Sequence, residues 1–368
     1  MPADLFTPLQ LRETELPNRL MVSPMCQYSV EERDGVATEW HHVHLGSRAV
    51  GGAGLVLTEA TAVESRGRIS PEDLGIWSDD HAAALERTTE FVRSQGAVPG
   101  IQLAHAGRKA SKTRPWEGSE PLQPDEGGWE VVAPTDDPWP YDDPPATTRL
   151  TREGIDDVVE SFRAAARRAR DAGFEVAEVH AAHGYLLHQF LSPVTNDRED
   201  EYGGSFENRT RIVRETVAAV RDVWPDDRPV FVRVSGTDWL DDRESWTVDQ
   251  SARLADRVHE AGVDLIDVSS GGILPESSPK WVGPNYQLSL AEHVREHSDS
   301  GIAVGTVGGI TTAQQADAIV RNERADLAIV GRAFLRDPYF GLHAAADLDA
   351  LDRNEPPVQY RRGFWAGQ

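Results

Sequence analysis

His180, His183 and Tyr185 stand close together in the run His180-Ala181-Ala182-His183-Gly184-Tyr185-Leu186-Leu187-His188-Gln189-Phe190-Leu191-Ser192-Pro193. Two imidazoles at this spacing, neutral or protonated, can both donate hydrogen bonds to one developing oxyanion, and a nearby phenol can supply a proton. The chemistry this suits is electrostatic stabilisation joined to general acid catalysis. Metal ligation competes for the same histidines, as in a metal-dependent lyase or hydrolase. His-x-x-His is a weak metal signal, however, and beyond Glu59 no third ligand stands at a comparable strand end. Packing is the default for any one buried histidine or tyrosine, but it weakens when three polar rings share one run. His188 is left without a chemical role and is taken as structural.

Such side chains need a scaffold that points them one way. Apolar, β-rich runs recur at 19–25, 55–60, 98–104, 175–180, 229–235, 264–269, 302–307 and 326–331. Amphipathic helix patterns separate them at 81–95, 151–172, 206–223, 247–261, 287–297, 312–322 and 338–348. In 151–172 the apolar residues Ile155, Val158, Val159, Phe162, Ala165, Ala166 and Ala169 recur at three and four residues. Thr151 is the expected N-cap and Gly173 the stop. Strand, helix, strand, repeated, implies a parallel sheet. Eight units without an early Gly-x-Gly-x-x-Gly turn predict a closed (β/α)8 TIM barrel rather than a doubly wound sheet. The chain is therefore read as one domain, 1–368. Residues 107–149, rich in Pro, Asp, Gly and Trp, are too long for an ordinary connection and are expected to form a lid or capping insertion after the third strand, with a short hairpin near Glu130–Ala133. The stretch 355–368 carries Tyr360, Arg361, Arg362, Gly363, Phe364 and Trp365, an aromatic and cationic tail suited to docking.

Reacting groups of such a barrel come from the C-terminal strand ends. Those ends carry Ser23, Pro24, Met25, Cys26, Gln27 and Tyr28; Glu59, Ala60 and Thr61; Gln102 through Lys109; Arg233 and Ser235; Ser269 to Gly272; Gly308 and Gly309; and Gly331 with Arg332. Either glycine turn alone is explained as well by a tight βα connection. Two after the last two strands favour a phosphate site of backbone N–H groups, with Arg332 adding a charge-assisted contact.

Several stretches resemble one family: Ser-Pro-Met-Cys-Gln-Tyr at 23–28, His-Ala-Gly-Arg-Lys-Ala at 105–110, the run 180–193, Asn196-Asp197-Arg198, Asp200 to Ser205, and Glu207-Asn208-Arg209. In order, from about residue 4 to residue 365, the chain is similar to Old Yellow Enzyme-type flavin oxidoreductases of the thermophilic-like subclass. The resemblance implies noncovalent FMN reached through Ser23, Pro24, Met25, Cys26, Ala60 and Gln102, with Arg233 beside the N1–O2 edge of the ring. Gly308, Gly309, Gly331 and Arg332 are the implied phosphate site, and Cys26 the subclass marker that modulates the flavin. It implies a ping-pong cycle with NADH or NADPH as reductant and a small α,β-unsaturated carbonyl or nitro compound as acceptor. In that cycle His180 and His183 hold the carbonyl oxygen, Tyr185 protonates Cα, and Tyr28 and Lys109 shape the pocket. Arg362 is the implied finger reaching a neighbouring subunit's site in a homodimer or homotetramer, with Phe364 replacing the family's Trp. A barrel that only binds a phosphorylated ligand is the non-enzymatic alternative.

Composition narrows the classes further. A formal charge of −24, from 61 acidic against 37 basic residues, repels polyphosphates and argues against nucleic acid and anionic membranes as partners. The single cysteine, Cys26, excludes an intrachain disulfide, a four-cysteine zinc site and a cysteine-held iron–sulfur cluster, and with it the larger iron–sulfur dienoyl reductases. Without a leader pattern or a run of 18 apolar residues, the expected compartment is the cytoplasm. Lysine occurs only at 109, 112 and 280, and this Lys-poor acidic composition resembles that of proteins from salt-loving organisms. Salt screens the self-repulsion of so large a net charge. Dilute buffer is therefore expected to lower the melting temperature or the activity; both unchanged without salt would overturn that expectation.

Overall fold

The computed structural model describes residues 3–363. Eight parallel strands close into a barrel: β1 (Leu20–Val22), β2 (Leu55–Ala62), β3 (Val98–Ala104), β4 (Val176–Ala181), β5 (Val230–Ser235), β6 (Leu265–Ser269), β7 (Ala303–Val307) and β8 (Leu327–Val330). Each falls on one of the apolar runs, and β8 pairs with β1 to close the ring, Ala328 opposite Leu20. The principal helices are α1 (Glu39–Val50), α2 (Asp79–Ser94), α3 (Arg152–Asp171), α4 (Leu186–Leu191), α5 (Arg211–Val223), α6 (Val248–Glu260), α7 (Leu288–His297), α8 (Ala313–Arg321), α9 (Arg332–Arg336) and α10 (Phe340–Asp347). None among the described residues is long and apolar enough to cross a membrane.

The helix over 151–172 forms as its period predicts. Ile155, Val158, Phe162, Ala165, Ala166 and Ala169 of α3 are buried. Thr151 Oγ1 accepts the Gly154 N–H at 3.1 Å, and Gly173 ends the helix at φ +88°. The pattern at 206–223 is broken at Thr210 into a short Phe206–Arg209 turn and α5.

Alternation along the strands divides the barrel interior into two zones, because successive side chains point to opposite faces. At the starts of the strands, Met21, Leu55, Val98, Val176, Phe231, Leu265 and Leu327 form one apolar cluster with Leu11 and Leu16. The last two belong to an antiparallel hairpin, Leu9–Leu11 with Thr14–Leu16, that covers the N-terminal end of the barrel. Two residues further on, the same inward register carries Glu178, Arg233 and Asp267, and two further still His180, Ser235 and Ser269.

The expected hairpin near Glu130–Ala133 does not form. Val131–Ala133 pairs with Thr147–Arg149 in parallel. A hairpin needs a tight reversal, whereas parallel strands need a crossover, and the intervening segment holds Pro134, Pro138, Pro140, Pro144 and Pro145, which stiffen it into a loop that runs over and back.

Candidate active site

Past β4, His183 and Gly184 both adopt positive φ, +58° and +72°. For a histidine the left-handed region costs about 1–2 kcal/mol, so the neighbourhood must hold it there. The turn places two imidazoles and a phenol around one point. His180 and His183 lie edge to face with centroids 5.1 Å apart, and His180 and Tyr185 do the same at 5.1 Å. His180 Nδ1 accepts the Ala182 N–H at 3.2 Å, which leaves the ring proton on Nε2. That nitrogen stands 3.4 Å from His183 Nδ1, while His183 Nε2 is 2.7 Å from the Ser269 hydroxyl. In the tautomer in which Ser269 donates to His183 Nε2, both facing nitrogens carry N–H groups and can share one oxygen acceptor; in the other, His183 Nδ1 accepts from His180 Nε2. Burial, then the Arg233 charge, holds both histidines well below their usual pKa. Of the two forms open from sequence, the neutral one is the resting form.

Burial acts oppositely on the phenol. Tyr185 is pushed well above the usual tyrosine range, with Cys26, Asp73 and Tyr141 adding to the effect, so it keeps its proton. Cys26 and Tyr28 pack with Tyr185 and Trp129 against Ile69, Ala106, Ala110 and Val131, and burial raises Cys26 too, leaving a thiol rather than a thiolate. Tyr28 meets Trp116 edge to face, centroids 5.8 Å apart. Lys109 Nζ donates to the carbonyl oxygens of His183 at 2.8 Å and Gly272 at 3.0 Å. It lies 4.4 Å from the Trp139 ring centre, and burial brings its pKa down to about 7.

Beneath this cluster, Gln102 donates to Glu178 Oε1 at 2.7 Å. Arg233 Nε stands 3.1 Å from Asp267 Oδ2 in an alignment too bent for a hydrogen bond, and Nη2 donates to Ser23 Oγ at 3.3 Å. Arg233 thus keeps a buried donor unsatisfied. Glu178 and Asp267 are both raised by burial, with Arg233 opposing. Neither acid was singled out from sequence. The signal was available: an acid at an inward position in each of two otherwise apolar strands.

At the barrel mouth lies a cavity of about 500 Å³, bordered by Met25, Ser269, Gly308, Gly309, Gly331 and Arg332. Its size suits a cofactor. A Cβ on Gly309 would lie 2.2 Å from Gly283 O and one on Gly308 2.7 Å from Gln287 Nε2, so only glycine fits this wall. Neither Arg332 nor Arg336, which also borders the cavity, is ion-paired with a carboxylate among the described residues. Two unpaired guanidinium groups on one wall of a chain with net charge −24 fit the phosphate of FMN. Pro24, Met25, Ala60 and Gln102 stand at the tops of β1, β2 and β3, and the ladder sets Ala60 opposite Gln102 after a register shift at Leu57. These residues fit a flat ring system lying across the barrel mouth.

Glu59, the acid that a metal reading of the histidines would have enlisted, is occupied elsewhere. Its Oε2 accepts the Gln27 N–H at 2.8 Å and its Oε1 lies 3.3 Å from His41 Nε2. No group of three or more metal-ligating side chains occurs among the described residues.

Residues 4–350 match the NADH:flavin oxidoreductase / NADH oxidase family. The chain belongs to that family. It is 46% identical over 361 residues to an NADPH dehydrogenase of Listeria monocytogenes, covering 98% of this chain and 99% of the relative. It is 45% identical over 365 residues to an NADPH dehydrogenase of Bacillus subtilis, covering 99% and 100%. Morphinone reductase in complex with tetrahydroNAD superposes with a TM-score of 0.76 at 29% identity, over 95% of this chain and 91% of that one. This flavin oxidoreductase is an FMN-dependent, NAD(P)H-linked enzyme of the Old Yellow Enzyme type; the lyase or hydrolase alternative finds no support. Arg362 lies in an exposed turn after Val358–Tyr360 and makes no hydrogen bond to His180, His183 or Tyr185 of its own chain, while Phe364 and Trp365 lie outside the described residues. Tyr360 OH is 3.1 Å from Tyr339 OH, which places Tyr360 beside the start of α10.

Hydrogen bonds to charged groups contribute about 1.5–3 kcal/mol. Arg332→Ala is therefore expected to weaken FMN binding about tenfold or more in a titration of apoenzyme followed by flavin fluorescence. An unchanged dissociation constant would remove Arg332 from the cofactor site.

Proposed function

We propose that this flavin oxidoreductase reduces the activated carbon–carbon double bond of small α,β-unsaturated carbonyl or nitro compounds, with His180, His183 and Tyr185 as the acting side chains. The observation that carries the reading is the convergence of two neutral imidazole rings beside a buried, protonated phenol. FMN, when bound, supplies hydride transfer from NADH or NADPH to the acceptor's β-carbon. Pro24, Met25, Ala60 and Gln102 support the ring, Gly308, Gly309, Gly331 and Arg332 take the phosphate, and Arg233, steadied by Ser23, offsets negative charge at the ring edge. His180 and His183 donate to the acceptor's oxygen, where negative charge grows as the hydride arrives at Cβ. Tyr185 then gives its proton to Cα. Hydride plus proton completes the addition across the double bond, and the nicotinamide is oxidised in the other half of the cycle.

Around that centre Cys26 presents a neutral thiol toward the flavin, and Tyr28 and Lys109 wall the pocket. The 107–149 insertion serves as its lid, with Trp139 over Lys109. The active form is a homodimer or homotetramer in the cytoplasm, in which Arg362 reaches the neighbouring subunit's site.

A yellow preparation bleached by NADPH and restored by cyclohexenone tests the activity; a colourless protein with no such cycle would refute it. Within that cycle, Tyr185→Phe is expected to slow reoxidation by the enone about 100-fold, in the range of general acid catalysis, while reduction by nicotinamide changes little. Equal slowing of both halves would remove Tyr185 as the proton donor. Deleting 356–368 is expected to raise the KM for the enone, and an unaltered KM would count against Arg362 acting between subunits.

A further inference from the structure

His188 and Asp238, which the chemistry above leaves unused, are both completely buried. His188 sits in α4 among buried Leu187, Phe190 and Leu191. A hydrophobic residue there would avoid taking a polar ring and a carboxylate out of water, which is unfavourable unless the pair performs another task.

The task is legible in the turn that precedes α4. Each backbone polar group of His183 and Gly184 is bound by a side chain. The His183 N–H donates to Ser235 Oγ at 2.9 Å and its carbonyl accepts from Lys109 Nζ at 2.8 Å. The Gly184 N–H donates to His188 Nδ1 at 2.8 Å and its carbonyl accepts from Gln189 Nε2 at 2.7 Å. No helix or sheet backbone supplies these partners, because two consecutive residues with positive φ have left the β4 ladder and not yet entered α4. Since Nδ1 of His188 accepts a hydrogen bond, the ring's proton lies on Nε2, which stands 3.0 Å from Asp238 Oδ1 in a charge contact too bent for a hydrogen bond. The other carboxylate oxygen is taken by Ser192 Oγ at 2.6 Å and the Trp246 N–H at 2.9 Å. Asp238 therefore offers His188 one free oxygen and favours the tautomer that leaves Nδ1 as an acceptor. In the opposite tautomer an N–H would face the Gly184 N–H.

We propose that His188 is a positioning residue: with its tautomer set by Asp238, it holds the Gly184 peptide and through it the directions of His183 and Tyr185. The part concerning Tyr185 rests on the proton-donor reading given above. Asp238 follows β5, so the pair also ties the turn after β4 to the next strand's loop.

The test combines a tautomer measurement with kinetics on the holoenzyme. In histidine-labelled enzyme, 15N NMR is expected to find His188 protonated at Nε2 and not at Nδ1. His188→Leu, which removes the acceptor, is expected to lower the rate of reoxidation at saturating cyclohexenone about tenfold or more without changing the FMN dissociation constant. His188→Asn restores an acceptor oxygen near the position of Nδ1 and is expected to recover the rate to within about threefold of the parent. Should the leucine variant fail to fold, the asparagine variant and the parent's tautomer decide. A proton on Nδ1, a wild-type rate in the leucine variant, or equal loss in both variants with folding intact would overturn the proposal. Tyr185→Phe measured alongside separates the two ideas: if it is reoxidised normally while His188→Leu is slow, the proton-donor reading fails and the positioning of His183 stands. If it is slow while His188→Leu is normal, the positioning role fails alone.

Discussion

A closed ring of strands allows every strand a single inward face with a period of two residues, and the rest of this enzyme depends on how that face is filled. Leu265, Asp267 and Ser269 ascend one strand, and Phe231, Arg233 and Ser235 ascend its neighbour. The lower positions are apolar and joined to the N-terminal hairpin. The middle ones are charged and buried, and the upper ones are hydroxyls that hold the reactive turn. Polar groups at the mouth therefore stand on an apolar plug that keeps water from reaching them from below.

Within that frame, chemical readiness comes from burial. The same withdrawal from water that keeps His180 and His183 neutral keeps Tyr185 protonated, because desolvation penalises whichever form is charged. Arg233 acts in the same sense on the histidines as desolvation and in the opposite sense on Glu178 and Asp267. One guanidinium thus keeps the imidazoles uncharged while tempering the acids beneath it.

Much of this is legible in the sequence, and the exceptions have physical causes. Strands buried on both faces read as continuous apolar runs, so all the barrel strands stand out, as does α3 with its clean stripe. Helix α1 does not: its inward face includes His41, His44 and Arg48, whose polarity hides the period. The Val131–Ala133 strand is visible but its parallel partner is not, since direction is set by the route of the proline-rich link. The residues at the strand tops were readable because a barrel fixes which end reacts. Glu178 and Asp267 escaped because acids within strands are judged by averaged hydrophobicity, which hides a single charged residue. His188 could not be given a role from its spacing, since its partners come from Gly184 and from a loop on another strand.

The turns after β4 and β6 touch backbone to backbone. A Cβ on Gly184 would lie 2.0 Å from Gly272 O, and one on Gly272 would lie 2.7 Å from the His183 carbonyl carbon. Neither turn can gain a methyl group without displacing the other, and Lys109 binds a carbonyl of each. The reacting corner is therefore closed to gradual change, one side chain at a time. The loop that carries Trp139 joins only a short strand pair, and most of its side chains are exposed. A substitution in that loop therefore leaves the backbone contact between the two turns in place, whereas one at Gly184 or Gly272 must break it.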